Sequence, residues 1–564
     1  MSSRSAFLME QRMENVQAGQ TLNRRVEFEQ KPPKANALPS KRKVTLYRKK
    51  SVEQYDIYFG SVEEVLSKIG IFGPYQIFCC SVTFLSAIAW FANYVILFYG
   101  MTETAWTCTD PIDNATISSI NDKEYFCQIM DSCFGLKGVP SQFASLTAEW
   151  KLVCNRKVLI FVLLVCFLVG RIVGAIIGGH LSDNFGRTYG LFLMHSFGMV
   201  VRALSIASTD WPAFAVFQFV TGAIFGQIQT ACMTLLTEST DGAYRYLPIA
   251  CAQLSAAYIL FALILYLTAE WRMYLIIVSF GLRYYDRQNE VHISTLYGSL
   301  ESPRWLLVKS KTAEAAQVIT ELYSERWRGR GDEVTPVQLT AISSDRDGKR
   351  LYTLLDLFHT RKLAISTAAL LVSVISISAV KASLLFLSHQ AFMQNFYVHF
   401  LLAGALRLFF LTVTILLSMK VTKLGCRHVL LFSLATTIVC FAAVTIILLA
   451  GQVVAYAYLT YGILMFAFNI SGSVYHLTVL HTVAVVYPTV VRGIAFGFFI
   501  SFEDLGTILI GSLIEEITRV WAVIPCIIVE IVLVITLVVS IWYIPETKYA
   551  MTKRLLPNTF ADLQ

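Results

Sequence analysis

Apolar residues in this chain come in long unbroken blocks rather than in the short amphipathic repeats of a water-soluble protein. Such blocks lie at 74–100, 157–180, 189–208, 211–236, 246–268, 363–388, 397–419, 428–450, 454–480, 490–513 and 519–544. A helix needs about twenty apolar residues to cross a hydrocarbon core, and these blocks have that length. A shorter block at 273–283 completes a set of twelve, six on each side of a polar stretch. The expected fold is an all-α polytopic membrane protein with twelve transmembrane helices in two six-helix bundles, related by an axis along the membrane normal. The expected organisation is a basic amino-terminal tail (1–73), a first bundle (74–300) with a large loop at 101–156, a central loop (301–362), a second bundle (363–544) and a short tail (545–564).

Span 6 strains this pattern. Only Met273–Leu282 is apolar before the polar run that begins at Arg283 and continues to His292. Such a run rises about 15 Å, half the hydrocarbon thickness. Two readings stay open: a short, broken span shielded by its neighbours, or an insertion near 283–295 from a mis-assigned exon boundary.

Composition agrees with the pattern: 55% of the 564 residues are hydrophobic, 15% are charged and the mean hydropathy is +0.58. The net charge of +8 gathers in the amino-terminal tail and short loops, where anionic lipid headgroups are the natural partner and nucleic acid is not. No cleavable signal peptide is expected, since the first 70 residues are polar and basic, with Lys41-Arg42-Lys43 and Arg48-Lys49-Lys50. Orientation follows from basic residues in short loops. Arg187, Arg245, Lys420, Lys423, Arg427 and Arg492 fall on one side and only Arg272 and Arg519 on the other, which places both termini in the cytoplasm.

The loop at 101–156 then lies outside. It carries Cys108, Cys127, Cys133 and Cys154, which suggest two disulfides in one of three pairings, and the sequon Asn114-Ala115-Thr116. The other eight cysteines read as packing residues. A second sequon, Asn469-Ile470-Ser471, sits inside a span beyond reach of the glycosylation machinery. Endoglycosidase treatment of the expressed protein is expected to increase its gel mobility, and Asn114→Gln to abolish that change. An unshifted wild-type protein would overturn the placement of this loop.

One short polar hairpin is the most informative stretch: Gly178-Gly179-His180-Leu181-Ser182-Asp183-Asn184-Phe185-Gly186-Arg187-Thr188. It resembles the loop signature between helices 2 and 3 of the major facilitator superfamily, G-x-L-S/A-D-R-x-G-R-R/K, with two of the usual basic residues replaced by Asn184 and Thr188. Four further stretches resemble the organic cation, anion and carnitine transporters of solute carrier family 22, which share a long, cysteine-rich, glycosylated first outer loop. They are Ala148-Glu149-Trp150-Lys151-Leu152-Val153-Cys154, Glu301-Ser302-Pro303-Arg304-Trp305-Leu306-Leu307, Tyr487-Pro488-Thr489-Val490-Val491-Arg492 and Pro545-Glu546-Thr547-Lys548. The resemblance runs from about residue 60 to 560. It implies structural or gating roles for Gly179, Asp183 with Arg187, Gly186, Glu238 with Arg245, Glu301 with Arg304, and Arg492. Charged pairs across the inner bundle interface would hold the outward-facing state. Three charged gating positions depart from the pattern, occupied here by Gln218, Thr422 and Val485.

Ionised groups inside spans cost about 2.5–3.5 kcal/mol on insertion scales and are seldom accidental. The second half holds Lys381, Arg407, Glu503, Asp504 and Glu530; in the first half only Arg202, near an outer end, is expected to matter. Asp504 falls where the resemblance places an aspartate in cation transporters and an arginine in anion transporters, which implies a cationic substrate. Against it, Arg407 occupies a position usually acidic and Lys381 replaces a tyrosine, so a zwitterion fits equally. The bland alternative is an Asp504–Arg407 salt bridge that neutralises both. Trp90 and Tyr94 are candidate ring partners for a cation.

No enzyme signature is present: no phosphate loop, no His/Cys metal spacing and no nucleophile elbow, so no cofactor or metal is expected. His180, His476 and His481 are isolated. The expected function is alternating-access transport of small organic ions in the plasma membrane, cations or zwitterions preferred. Alternatives are an organic anion transporter, a non-transporting membrane sensor on the same fold and, less well matched to a charged cavity, a sugar facilitator. Nothing in the sequence sets an oligomeric state.

Overall fold

The computed structural model describes residues 64–65, 73–99, 105–109, 116–118, 123–130, 132–139, 144–240, 245–251, 255–281, 300–323, 334–340, 350–387, 396–421, 425–451, 456–521 and 523–547. All of these belong to one compact unit, Tyr58–Gln564. Asn114, the basic tail and residues 282–299 lie outside the described residues, as do the side chain of Trp90 and Thr422.

Among the described residues nine helices are long and apolar enough to cross a membrane. In the numbering of the sequence they correspond to spans 2, 4, 5 and 7–12. Two further helices, Pro74–Tyr99 and Thr188–Ile206, occupy spans 1 and 3. Span 6 is seen as Trp271–Ile276 running into a π-turn at Ile277–Gly281, with Trp271, Tyr274, Leu275 and Val278 buried.

Spans 2 (Val158–Phe185) and 4 (Trp211–Glu238) pack against each other along their length. Glycine permits this: a Cβ on Gly174 would stand 1.8 Å from the Ala223 carbonyl oxygen, and one on Gly222 would stand 2.1 Å from that of Phe167. Span 2 ends at Gly186, whose φ of +120° only glycine adopts without strain, so the chain reverses into span 3 within one residue. The bundles meet along two seams. Span 11 (Arg492–Val520) lies on span 2, and span 8 (Phe396–Lys420) lies on Ser255–Thr268 of span 5.

Span 10 is interrupted. Ala457–Ile470 passes through a π-turn, Ser471–Tyr475, before continuing as His476–Val486. The π-turn adds a residue to the turn and so rotates the second half of the span about its axis, a device common at functional sites.

The central segment, expected as a loop, contains helices Pro303–Val308, Thr312–Leu322 and Pro336–Leu339. Thr312–Leu322 buries one face of an amphipathic helix, with Ala315, Ala316 and Ile319 in a cluster with Trp305, Val65 and Leu339, and Leu322 in another with Tyr75, Cys79 and Leu236.

The large loop holds a three-stranded antiparallel sheet ordered β2-β1-β3, where β1 is Ala105–Thr109, β2 Thr116–Ser118 and β3 Phe134–Val139. Of the three possible cysteine pairings the structure has Cys108–Cys133 and Cys127–Cys154. The loop is fastened to the first bundle. Trp150 Nε1 donates to the Thr209 carbonyl, Trp271 Nε1 to Glu149, and Arg272 forms an ion pair with Glu149.

Candidate substrate site and gate

Glu503 and Asp504 are adjacent on span 11, so their side chains point about 100° apart. That single step sends them to different bundles. Asp504 turns to the first bundle and meets Arg171 of span 2 at 2.9 Å, both buried. Glu503 turns into its own bundle, pairing with Lys381 of span 7 (Arg361–Leu387) and lying 3.3 Å from His476 of span 10. Tyr94 of span 1 stands beside this group, with Tyr258, Arg171, Asp504 and Glu503 as its electrostatic neighbours.

Asp504 is held by Arg171, so the alternative of an Asp504–Arg407 bridge does not form. One expectation is corrected: the first half does contribute an ionised group at the centre. Arg171 interrupts the apolar run Leu168-Val169-Gly170-Arg171-Ile172-Val173-Gly174, which is the same signal that singles out the second-half charges. Arg202 is buried against the Phe225 ring and reaches Ser279 of the span 6 π-turn at 3.4 Å.

Arg407 instead donates from Nε to Asn469 Oδ1 at 3.1 Å, and its guanidinium lies 4.6 Å from the ring centres of both Tyr258 and Phe468. Along the sequence Asn469 is no more than an unreachable sequon; in the fold it is a buried side chain that holds an arginine.

A second constellation closes the bundles at the end that carries the basic turns. Arg187 is its hub. It reaches Asp183 at 3.0 Å, Glu238 through two bonds of 3.0 Å, and the Thr489 carbonyl at 3.1 Å. Arg492 joins Glu238 from the second bundle at 3.3 Å. The Asp183 carboxylate accepts the backbone N–H groups of Gly493 at 3.1 Å and Ile494 at 2.7 Å, so an acid of the first bundle caps the helix that starts the second bundle's span 11. Gly179 admits this approach, since a Cβ there would lie 2.8 Å from the Gly493 carbonyl oxygen. Glu301 caps span 3 through the N–H of Arg187 at 2.9 Å, and Arg304 donates to the Glu238 carbonyl at 3.1 Å. Arg245 crosses to the Ala484 carbonyl at 3.1 Å.

The related turn of the second half is built differently. Cys426 stands where Arg187 stands in the first, and Val485 where Glu238 stands. Tyr246 stacks flat on His481, with centroids 4.1 Å apart, and both contact the Cys426 sulfur. One half of the closure is thus ionic and the other neutral. Glu546 caps Cys426 at 3.0 Å, as Glu301 caps Arg187.

Two helical bundles of a polytopic membrane protein, meeting around buried charges and closed at one end, define the class. A family profile described as "Sugar (and other) transporter" matches residues 71–555, and the chain belongs to that family. Curated relatives are members of solute carrier family 22, as the motifs implied. Member 7 from rat is 28% identical over 228 residues, covering 40% of this chain and 41% of the relative. Human member 7 is 29% identical over 231 residues, 40% of each. Rat member 2 is 23% identical over 438 residues, 75% of this chain and 72% of the relative. The chain thus spans about two fifths of the length of the member 7 relatives it matches. Among solved structures, the proton:xylose symporter XylE of E. coli, bound to 6-bromo-6-deoxy-D-glucose, aligns with a TM-score of 0.58 at 14% identity, over 84% of this chain and 96% of that one. The human organic anion transporter TETRAN aligns at 0.50 and 12% identity, over 82% and 99%. These likenesses show the fold, which is that of the major facilitator superfamily.

Proposed function

We propose that the protein moves small organic ions across the plasma membrane by alternating access, with the paired charges of spans 2, 7 and 11 as its central site. The observation that carries this reading is the buried Arg171–Asp504 pair, because each partner belongs to a different bundle. A pair on that seam must loosen or re-form when the bundles rock, so a charged solute that competes for either partner is coupled to the motion. The ionic closure around Arg187 and Glu238 supplies the second requirement, a gate between the bundles that has a defined shut state. Ionised side chains at the centre suit an ion better than a neutral sugar. A simple cation must displace Arg171 to reach Asp504, whereas a zwitterion can engage both charges. The basic turns support an inner position for the gate and cytoplasmic termini.

Uptake into cells of labelled organic cations, organic anions and carnitine-like zwitterions, normalised to surface protein, tests the proposal. Accumulation of at least one class above the background of untransfected cells is the expected result. Ligand-induced stabilisation of the purified protein with no uptake of any class would instead establish a non-transporting sensor.

A further inference from the structure

The two halves of the closure do not share one chemistry. Where Arg187 ties the ionic half, the neutral half has a thiol, and that thiol lies among groups that can move its proton. The Cys426 sulfur is 3.0 Å from His481 Nδ1 and contacts the Tyr246 hydroxyl. His481 is wholly buried, yet its Nε2 has no hydrogen-bond partner among the described residues. An apolar side chain would fill that place without burying an unsatisfied polar atom, so packing alone does not account for an imidazole there. A thiol beside an imidazole, shielded from solvent, is the arrangement in which a cysteine becomes a nucleophile.

The origin of the three side chains decides what opening does to them. Cys426 begins span 9 (Cys426–Leu449) and His481 belongs to span 10, two helices of the second bundle that pack together. Tyr246, at the start of span 5, comes from the first bundle and lies flat on His481 beside the sulfur. Arg245, its neighbour, is the charged side chain that faces His481. Glu546 accepts the backbone N–H of Cys426, and His428 lies 3.5 Å from Glu546. When the bundles part at this end, Tyr246 and Arg245 leave together while Cys426 and His481 stay side by side. The thiol, 4% exposed when shut, is then uncovered with its proton acceptor still in place.

We propose that Cys426 is a thiol-modification site that arrests the open gate: a small disulfide of the glutathione class reacts with it once the bundles have parted, and the adduct keeps them apart. His481 Nδ1 takes the thiol proton. The thiolate attacks one sulfur of the disulfide, whose S–S bond breaks as the new one forms. The departing thiolate takes the proton back from the imidazolium. One disulfide is consumed and one is made, with a small thiol released. The attached group occupies the place of the Tyr246 ring, so the closure cannot re-form until a second thiol reverses the exchange. Such an adduct suits a reducing compartment, where disulfides are transient. The inference rests on the reading of this end as a cytoplasmic gate, and not on the identity of the substrate.

Oxidised glutathione, applied to the purified full-length protein, tests the proposal. Peptide mass analysis is expected to find glutathione on Cys426, added at least tenfold faster in Glu238→Gln, whose ionic half is weakened, than in wild type. The state of the gate is read separately by hydrogen exchange at Gly493 and Ile494, whose N–H groups donate to Asp183 across the shut closure. In the thiolated protein these amides are expected to exchange at least tenfold faster than in the reduced one, and to recover after dithiothreitol. In Cys426→Ser, oxidised glutathione should leave their exchange unchanged. The role of His481 is read from the pH profile of thiolation, measured in Glu238→Gln so that access does not limit the rate. An unassisted thiol slows about tenfold per pH unit below about pH 8.5, and adding His481→Gln is expected to produce that slope where the protein with His481 shows a shallower one. If His481→Gln does not fold, the mass and exchange measurements still decide the main claim. No glutathione on Cys426 in either protein, exchange at Gly493 and Ile494 that ignores thiolation, or the same acceleration in Cys426→Ser would each overturn the proposal. Identical pH profiles would overturn the proton transfer to His481. Thiolation that opens the gate, in a protein that takes up none of the three classes of organic ion, would leave the modification site standing and remove the transport reading.

Discussion

Asp504→Asn is expected to lower both surface protein and uptake, and Arg171→Gln on the same chain is expected to restore the surface protein without restoring uptake. Each single change leaves a buried charge without its partner, and breaking such a pair costs about 3–5 kcal/mol. The double change removes both charges, so the folding penalty largely disappears while the central site loses its inter-bundle link. Uptake per surface molecule should remain at least tenfold below wild type, equivalent to about 1.4 kcal/mol. The control is Asp504→Asn with Arg407→Gln. Arg407 lies on Asn469 and not on Asp504, so this combination should not rescue expression. Rescue by Arg407→Gln in place of Arg171→Gln would show that the pairing seen here is not the one the folded protein relies on. Surface biotinylation and uptake, measured on the same cells, read both quantities.

The second large effect is expected at the gate. Glu238 accepts from Arg187 of its own bundle and Arg492 of the other, and all three side chains are wholly buried. Glu238→Gln leaves two guanidinium groups close together with one fewer counter-charge, and that arrangement exists only when the gate is shut. Opening hydrates both, so the change should favour the state open at this end. A shift of about 1.4 kcal/mol multiplies the ratio of open to shut molecules tenfold. Cys426 gives a direct readout. It is 4% exposed, covered by Tyr246 from the first bundle and by His481. Alkylation of Cys426 by a thiol reagent, followed by peptide mass analysis, should run at least tenfold faster in Glu238→Gln than in wild type, with Cys426→Ser as the blank. An unchanged rate would mean that the ionic half does not hold the gate and that the neutral half suffices.

Much of the architecture is legible in the chain because a hydrocarbon solvent leaves the backbone little choice. Each long apolar block has to become a helix, since unpaired N–H and C=O groups are too costly in lipid. Gly186 marks the sharp turn between spans 2 and 3, and the four cysteines of the large loop point to its cross-linking. Pairing within that loop is beyond the sequence, because it depends on how β1 and β3 align across the intervening chain. In the central segment the density of charge masks the periodic placement of Ala315, Ala316, Ile319 and Leu322, so a loop is expected where a short amphipathic helix forms.

The candidate site divides in the same way. Sequence alone determined which residue types are ionised inside spans, since an Arg, Lys, Asp or Glu amid twenty apolar neighbours stands out without any fold. The resemblance also named Asp183, Arg187, Glu238 and Arg492, of which only Asp183 and Arg187 are neighbours along the chain. Tertiary structure alone decided the partners. Asp504 was joined to Arg171 because span 11 lies on span 2 and because one residue of helix turns a side chain by about 100°. Arg407 was given Asn469 as its partner, with Nη2 buried against Gly472 in the π-turn of span 10, a local change of helical register that no periodic reading anticipates. A charge is a property of one side chain and can be read along the chain. Whether that charge is neutralised depends on distances of a few ångströms between segments far apart in sequence, and those are set only when the bundles pack.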